Sequence, residues 1–178
     1  MNCALPRRAV EADGDRLAAL YARAYGTLLT PYYDADLLAE ALPLLCRVSP
    51  ALLESGRYFV ISGQTGETLG AGGWSWERPG GQDGTPGHAY LRHFAVDPAR
   101  TRLGLGRGLF ECCLQDATGA RAFECFSTYA AESFYRALGF TTLGPMDVTM
   151  GPKLVFPSLH MIRMLRQAAE ELSVSARF

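Results

Sequence analysis

The chain has 178 residues, of which 48% are hydrophobic and 20% are charged, so it is long enough and apolar enough to bury the core of one domain. Its 17 basic and 18 acidic side chains leave a formal net charge of −1, which argues against a nucleic-acid-binding protein, because such proteins carry a basic excess or a basic face. The five cysteines include no C-x-x-C pair, which argues against a disulfide framework and a zinc site, and we expect no metal.

We find no membrane-targeting pattern along the sequence. The stretch MNCALPRRAVEADGD lacks the apolar core of a signal peptide, and nowhere do about 18 apolar residues follow one another. We therefore expect a soluble protein of a reducing compartment, most simply the cytoplasm, that has no membrane partner.

The first third of the chain is predicted to be helical. In AVEADGDRLAALYARAYGTLL, apolar residues recur at helical spacing after Asp13, a residue type that suits an N-cap. DADLLAEALPLLCRV predicts a second helix that Pro43 breaks or kinks. A short helical turn is expected to begin at Ser49 and Pro50, because proline is favoured at the first position of a helix.

Strand patterns follow these helices. RYFVISG and TLGAGGWSW are strand-like runs separated by residues 64–67, which predicts a β-hairpin. Residues 77–87 are rich in glycine and proline and are predicted to form a loop. HAYLRHFAV predicts a third strand, which Asp97 and Pro98 end.

The second half of the chain alternates between helix and strand. Leu105, Leu109, Cys112 and Cys113 fall on one face of a predicted amphipathic helix. ARAFECF predicts a strand, and AAESFYRAL predicts a short helix that Gly139 closes. FTTLG, DVTM and SLHMIRML are further strand candidates, and the C-terminal residues are predicted to form a helical tail. This order predicts an α/β (α+β) fold, with a mixed central β-sheet flanked by helices.

Three glycines and three arginines lie in RTRLGLGRGLF, residues 100–110. This stretch joins a predicted strand to a predicted helix, where backbone N–H groups are unpaired and the helix dipole is positive. Glycines let the backbone approach an anion closely, and Arg102 and Arg107 can add charged hydrogen bonds, so phosphate is the natural ligand. The alternative is a tight turn with solvated arginines.

Two common phosphate-binding motifs do not fit this stretch. A Walker A loop needs a lysine after its last glycine, and none follows here. A dinucleotide-binding strand runs directly into G-x-G-x-x-G, whereas here the glycines are Gly104, Gly106 and Gly108 and the predicted strand ends at Val96. Glu124 lies about twenty residues further on, as that motif requires, but the glycine spacing disfavours a nicotinamide-dependent oxidoreductase.

A third motif fits the same stretch. FAVDPARTRLGLGRGLFECC resembles the acyl-CoA-binding segment of the GNAT family, the Gcn5-related N-acetyltransferases. In that family a strand with the pattern apolar-x-valine-x-proline leads to [QR]-x-x-G-x-[GA] at the start of a helix. Phe94, Val96, Pro98, Gly104 and Gly106 stand at those positions here.

A second family motif follows in the expected order. FECFSTYAAESFYRALGF resembles the family's next strand and helix, which end F-Y-x-x-x-G-F, and Tyr135, Gly139 and Phe140 match that ending. The two motifs together span residues 88–140. The resemblance implies a single GNAT acyltransferase domain over residues 1–178, in which residues 88–140 form the acyl-CoA-binding core.

The resemblance implies that acetyl-CoA, or another acyl-CoA, is the co-substrate. One position departs from the family pattern, because Thr101 stands where glutamine or arginine is usual, and we expect Arg102 or Arg107 to compensate. The residues implied to hold the cofactor are Phe94, Ala95, Val96, Arg102, Leu103, Gly104, Leu105, Gly106, Arg107 and Gly108.

The resemblance also implies a mechanism, in which an amine attacks the thioester directly in a ternary complex and no covalent enzyme intermediate forms. Backbone amides of the strand around Phe94 would polarise the thioester carbonyl. Tyr135 would act as the general acid that protonates the leaving thiolate. The alternative for Tyr135 is an aromatic residue on the helix surface. Cys125 lies in the middle of a predicted strand, which favours a buried inert thiol over a nucleophile.

The motifs do not identify the general base. Members of the family often carry a glutamate early in the strand before the glycines, and Tyr90 occupies that position here. Glu77, His88 and His93 lie nearby, and a water chain is a further alternative. His93 is the candidate base that we name, because histidine titrates near neutral pH, and the alternative is a histidine used for packing.

Aromatic residues are the main indication of the acceptor. Trp74 and Trp76 lie on one face of their predicted strand, so they either wall an acceptor pocket or pack in the core. Tyr25, Tyr32 and Tyr33 are predicted to lie between the first two helices, where members of this family commonly build acceptor specificity. No acidic cluster calls for a polycationic substrate.

The function expected from these patterns is transfer of an acetyl group to a primary amine of a small molecule or a peptide. The alternative is a non-catalytic acyl-CoA-binding module with a sensing or regulatory role. We also expect a homodimer, because dimers are frequent in the family.

Overall fold

The computed structural model describes residues 5–80 and 83–165, so the predicted C-terminal helical tail, at residues 166–178, lies outside the described residues. The prediction of a helical first third is confirmed. Its helices are α1 at Gly14–Leu28, α2 at Ala35–Leu45 and α3 at Pro50–Glu54. Pro43 lies inside α2, which continues to Leu45 without the hydrogen bond that residue 43 would otherwise donate to the preceding turn.

Seven strands form one sheet in the order β1-β2-β3-β4-β5-β7-β6. They are β1 at Arg7–Arg8, β2 at Tyr58–Ser62, β3 at Thr68–Ser75, β4 at His88–Val96, β5 at Ala122–Ser127, β6 at Thr141–Met150 and β7 at Leu154–Met164. All neighbours are antiparallel except β4 and β5, which run parallel. The predicted mixed central sheet is therefore confirmed.

One predicted turn is confirmed, and two of the predicted strands form one. The predicted turn at residues 64–67 joins β2 to β3. FTTLG and DVTM, which were separate candidates in the sequence, form the single strand β6. The prediction divided them because Gly144 and Pro145 are strand breakers, but β6 is at the edge of the sheet, where both residues are tolerated at an irregular position.

Helices cover both faces of this sheet. The last two are α4 at Leu105–Asp116 and α5 at Glu132–Ala137. Val60 of β2 packs in the core beneath α1, whereas its neighbours Phe59 and Ile61 pack in the core that α4 and α5 cover. Because successive strand residues point to opposite faces, the two cores lie on opposite sides of the sheet.

The two tryptophans belong to the core. Trp74 is 2% exposed, and its ring contacts that of Trp76 edge-to-face at 4.9 Å between centroids. The Trp74 indole N–H donates to Asp116 Oδ2 at 2.9 Å, which satisfies its polar atom. The expected shared strand face is confirmed, and the side chains on it pack beneath α4 rather than line an acceptor pocket.

Candidate active site

The parallel strands β4 and β5 part after a short paired stretch. Their pairs are His88↔Ala122, Ala89↔Phe123 and Tyr90↔Glu124, after which the described strands form no further pair with each other. Beyond Tyr90 and Glu124, β4 still runs to Val96 and β5 to Ser127. We call this opening the strand gap. Its free strand edges can accept an extended polar molecule through backbone hydrogen bonds.

A β-bulge deforms β4 inside the strand gap. The β3–β4 register passes from Gly73↔Arg92 to Ala71↔Ala95, so two residues of β4 face one residue of β3. The first of the two, His93, has a φ of 48°, a left-handed conformation that is uncommon outside glycine. The bulge therefore turns a backbone segment out of the regular ladder at the centre of the strand gap.

Two buried tyrosines hold the bulge in place. The hydroxyls of Tyr21 and Tyr58 each donate to the His93 carbonyl oxygen at 2.9 Å, and the two hydroxyls also contact each other. The peptide bond between His93 and Phe94 is trans, so the Phe94 N–H points away from both hydroxyls. The tyrosines thus fix the direction of an amide that can donate to a developing oxyanion.

The loop between β4 and α4 has a backbone geometry that suits a phosphate. The backbone φ is 62° at Arg102 and 81° at Gly104, and α4 begins at the next residue, Leu105. Among the described residues, nothing accepts a hydrogen bond from the N–H groups of residues 103–107. These groups lie at a helix N-terminus, where the dipole is positive, and they suit an anion such as a pyrophosphate.

The N–H of Gly108 does not belong to the predicted phosphate cradle. Its N–H donates to the Gly104 carbonyl at 2.9 Å as part of the first helical turn, so it is not available to a phosphate. Gly106 has a different role from the one its spacing suggests. A Cβ there would lie 2.8 Å from the Phe134 ring, so glycine lets α4 approach α5 closely.

The arginines of this loop are exposed, and Thr101 takes no part in the cradle. The Thr101 hydroxyl donates to the Pro98 carbonyl at 3.3 Å, within the turn that precedes the glycines. Arg102 and Arg107 are both exposed, and an Arg107 Nη2 atom donates to the Ala137 carbonyl at a long 3.4 Å. The two guanidinium groups can therefore reach a bound phosphate, as expected if they replace the usual residue at position 101.

Tyr135 lies on α5 and faces the strand gap. It is 6% exposed, and its ring centroid lies 6.5 Å from that of Phe94 on β4 and 5.4 Å from that of Phe140. Burial, and then the nearby Cys125 thiol, raise the pKa of Tyr135 well above its ordinary value. Tyr135 is therefore not the surface aromatic of the alternative interpretation, and its phenol stays protonated at neutral pH.

His93 is a weak proton acceptor in this structure. Burial, and then the Arg92 charge, lower the pKa of its ring to about 4. The ring packs at 5.8 Å from the Tyr21 ring, and the backbone carbonyl of the residue holds the bulge. The packing interpretation fits these contacts better than the base, although the predicted catalytic role of His93 stays a prediction.

A buried carboxylate between two histidines lies at the closed end of the strand gap. Glu124 is 5% exposed; its Oε1 lies 2.5 Å from His88 Nδ1 and its Oε2 lies 2.5 Å from His160 Nε2. The Tyr90 hydroxyl donates to Oε1 at 3.3 Å. Burial raises the pKa of Glu124, but the hydrogen bonds from both histidines lower it by more. The net pKa lies below its ordinary value, so the carboxylate stays ionised. We call His88, Glu124 and His160 the histidine–glutamate cluster.

Sequence patterns alone do not join these three residues. They name His88 as one of several alternatives for the base and Glu124 only for its distance from the glycines, and they give His160 no role. The three residues lie on β4, β5 and β7, which become neighbours only in the folded sheet. The signal available was a glutamate amid apolar residues in AFECF, since a buried glutamate needs partners. In the described part of the chain, no three His, Cys, Asp or Glu side chains are arranged as a metal site.

The thiol of Cys125 is buried in β5. Cys125 is 2% exposed, and burial raises the pKa of its thiol, which agrees with the expected inert thiol.

The predicted acceptor tyrosines do not all lie together. Tyr25 lies inside α1 rather than between the helices. Tyr32 and Tyr33 do follow α1, and with Tyr129 they line a groove of about 520 Å³ that we call the tyrosine groove. The rings of Tyr33 and Tyr129 stack at 5.2 Å.

A family model identifies the class of protein that this geometry defines. The model of the GNAT acetyltransferase domain matches residues 54–142, which is half of the 178-residue chain. The chain therefore belongs to the GNAT acetyltransferase family, whose members are acyl-CoA-dependent acyltransferases that use acetyl-CoA. No curated protein sequence matches the chain.

Solved structures of this family share the fold. A GCN5-related N-acetyltransferase from Rhodopseudomonas palustris has a TM-score of 0.70 and 17% identity, over 93% of this chain and 98% of that one. The PaiA N-acetyltransferase of Thermoplasma acidophilum, in complex with coenzyme A, has a TM-score of 0.63 and 11% identity, over 90% and 98%. A ribosomal-protein-alanine N-acetyltransferase from Brucella melitensis has a TM-score of 0.59 and 19% identity, over 90% and 99%. At such identities the likeness concerns the fold.

Within residues 5–80 and 83–165, no helix is both long enough and apolar enough to span a membrane.

Proposed function

We propose that this protein transfers an acetyl group from acetyl-CoA to a primary amine of a small molecule or a peptide, by direct attack within a ternary complex. The observation that carries the proposal is the strand gap, which opens beside the unpaired N–H groups of residues 103–107. A pyrophosphate bound at those groups would place the pantetheine arm along the free edge of β4. The thioester would then reach the bulge and Tyr135.

The bulge supports the attack step. When the amine lone pair forms a bond to the thioester carbon, negative charge develops on the carbonyl oxygen. The N–H of Phe94, turned away from the tyrosines that hold the His93 carbonyl, would donate to that oxygen. Because Tyr21 and Tyr58 hold the peptide before the substrate binds, little reorganisation is needed during the reaction.

Tyr135 supports the departure of the thiol. As the tetrahedral intermediate collapses, the C–S bond breaks and coenzyme A leaves as a thiolate. The Tyr135 hydroxyl donates its proton to that thiolate, and solvent later returns a proton to the phenolate. The burial that raises the pKa of Tyr135 also disfavours a thiolate in the same gap, so one cause raises the proton affinity of both groups.

The tyrosine groove supports an acceptor site on the face of the sheet opposite Tyr135. Its rings offer flat apolar walls, and Asp34 adds one carboxylate at its rim. This composition suits an amine with an apolar or aromatic body and a single positive charge. It does not resemble a surface for a polycationic substrate, since only one acidic side chain lines the groove among the described residues.

Two measurements test the proposed function. Thermal unfolding with acetyl-CoA, longer acyl-CoAs and NADH reports which nucleotide the protein binds. Release of free thiol from acetyl-CoA, followed with a panel of primary amines, reports transfer. We expect acetyl-CoA to raise the unfolding temperature and at least one amine to release thiol. Stabilisation by NADH alone would contradict the proposal, and stabilisation by acetyl-CoA with no turnover for any amine would instead indicate a binding module.

A further inference from the structure

The histidine–glutamate cluster lies on the face of the sheet from which an acceptor would approach. Ala89 and Leu91 of β4 and Phe123 and Cys125 of β5 all pack in the core beneath α4 and α5, which is the face of Tyr135. Since strand side chains alternate, the residues between them point to the other face. Tyr90 and Glu124 therefore lie across the sheet from the general acid.

The cluster also lies where the strand gap begins. Tyr90↔Glu124 is the last pair between β4 and β5, and His88 belongs to the paired part behind it. His160 pairs with Phe126, two residues further along β5, and the two rings meet edge-to-face at 5.3 Å. Of the two histidines, His160 is thus the one beside the open part of the gap.

Each histidine keeps one ring nitrogen unused. A carboxylate can only accept hydrogen bonds, so the nitrogens that face Glu124, His88 Nδ1 and His160 Nε2, carry hydrogen. In the neutral rings, His88 Nε2 and His160 Nδ1 then hold a lone pair, and no described residue bonds to either. The side chains are 17% and 21% exposed, so both rings are partly open to solvent.

We propose that His160 is the general base of the reaction, that Glu124 orients its ring, and that His88 fixes the carboxylate from the other side. This inference rests on the proposed N-acyltransferase function. His160 Nδ1 takes the proton that the attacking amine loses as the C–N bond forms. Glu124 holds the tautomer that leaves Nδ1 free and stabilises the imidazolium that results. His160 then releases the proton to solvent, while Tyr135 supplies the separate proton that the departing thiolate receives.

One carboxylate links the titratable groups of the cluster. Glu124 contacts the His160 ring, and His88 and Tyr90 join it through that carboxylate. The guanidinium of Arg78 lies over the Phe126 ring at 5.0 Å from its centroid, and Phe126 contacts His160. A structural link between three strands would account for the two hydrogen bonds, but it would not need partly exposed rings that each keep an unused nitrogen.

Two matched substitutions separate a base from a structural link. His160→Gln keeps a donor at the position of Nε2, and His88→Asn keeps one at the position of Nδ1, so each preserves its bond to Glu124. Each also removes the other ring nitrogen and the ability to take up a proton. The nitrogen lost in His160→Gln lies beside the open part of the strand gap, whereas the nitrogen lost in His88→Asn lies behind it.

The experiment measures kcat from pH 5.5 to 9.5, with the amine that the wild-type protein acetylates best. We expect His160→Gln to lower kcat about 100-fold near neutral pH, with the KM for acetyl-CoA unchanged. Its deficit should shrink at high pH, where hydroxide can take the proton in place of His160. We expect His88→Asn to lose less than about tenfold and to keep the pH profile of the wild type.

Three outcomes would overturn the inference. They are full activity in His160→Gln, equal losses in the two variants, and a loss in His160→Gln that is the same at every pH. Thermal unfolding with acetyl-CoA checks that each variant folds, and if His160→Gln does not, His160→Asn is assayed for the same pH-dependent deficit. Failure of the proposed function is distinct, because the wild-type protein would then release no thiol with any amine.

Discussion

The proposed donor and acceptor sides of the strand gap are built in different ways. On the donor side, the groups that suit coenzyme A lie within residues 94–107, and most are backbone N–H groups. On the acceptor side, side chains converge from separate segments, such as Tyr33 after α1, Glu124 on β5 and His160 on β7. A ligand that does not vary can be held by backbone groups, whereas discrimination among amines needs side chains. A contiguous sequence motif can therefore reveal the donor side but not the acceptor side.

The largest expected effect comes from the residue proposed to protonate the leaving thiolate. Tyr135→Phe removes this proposed proton donor but keeps the ring that packs against Phe94 and Phe140. We expect kcat to fall about 100-fold or more, while the dissociation constant of acetyl-CoA stays unchanged. Steady-state kinetics and calorimetric titration measure the two quantities. A weaker affinity with an intact kcat would place Tyr135 among the binding residues instead.

The donor side is tested by its arginines. Arg102→Ala and Arg107→Ala each remove one cation from the loop where Thr101 replaces the usual side chain. We expect each to raise the KM for acetyl-CoA about tenfold, with kcat and the KM for the amine unchanged, and with a smaller effect at high salt.

Arg100→Ala is the matched control for these variants, because this arginine lies in the same exposed loop but within the turn that precedes the glycines. It should change the KM for acetyl-CoA less than either variant. If all three substitutions acted alike, general positive potential rather than a defined cradle would explain the binding.

The bulge is tested by removing the hydroxyls that hold it. Tyr58→Phe and Tyr21→Phe each leave the His93 carbonyl with one donor instead of two. We expect each to lower kcat about tenfold or less and the double variant to lower it further, because the Phe94 N–H loses its fixed direction. Kinetic assays at saturating acetyl-CoA measure this loss. A double variant with the kcat of the wild type would show that the bulge holds its shape without the tyrosines.

The smallest expected effect is on stability at acid pH. Because the folded state lowers the pKa of Glu124 below its ordinary 4.5, its stabilising contribution is present above about pH 4.5 and is lost as pH falls through the lower, folded pKa. Urea unfolding between pH 7 and pH 3 should show this loss, and Glu124→Gln should reduce it. Asp13, whose pKa Arg7 lowers, contributes a similar loss, so Asp13→Asn is the comparison. A pH dependence that Glu124→Gln leaves unchanged would contradict the assignment.

The elements that could be predicted are those whose cause is local. The face of α1 with Leu17 and Leu20 follows from helical periodicity, and the start of α4 follows from glycines that permit the turn. The prediction for Gly108 was wrong because the first helical turn uses its N–H, which spacing alone does not reveal. The prediction also divided β6 in two, because whether Gly144 and Pro145 interrupt a strand depends on its place in the sheet.

The sequence by itself determined the family of this protein and the proposed donor side, because two local motifs carry backbone conformations that any fold of the chain has to respect. Only the tertiary structure brings together the proposed acceptor side. His88, Glu124 and His160 are far apart in the chain, and sheet order makes them neighbours. Burial also sets the chemistry of single residues, because it lowers the pKa of His93 and raises that of Tyr135. The buried Glu124 carboxylate is stabilised by hydrogen bonds from two histidines.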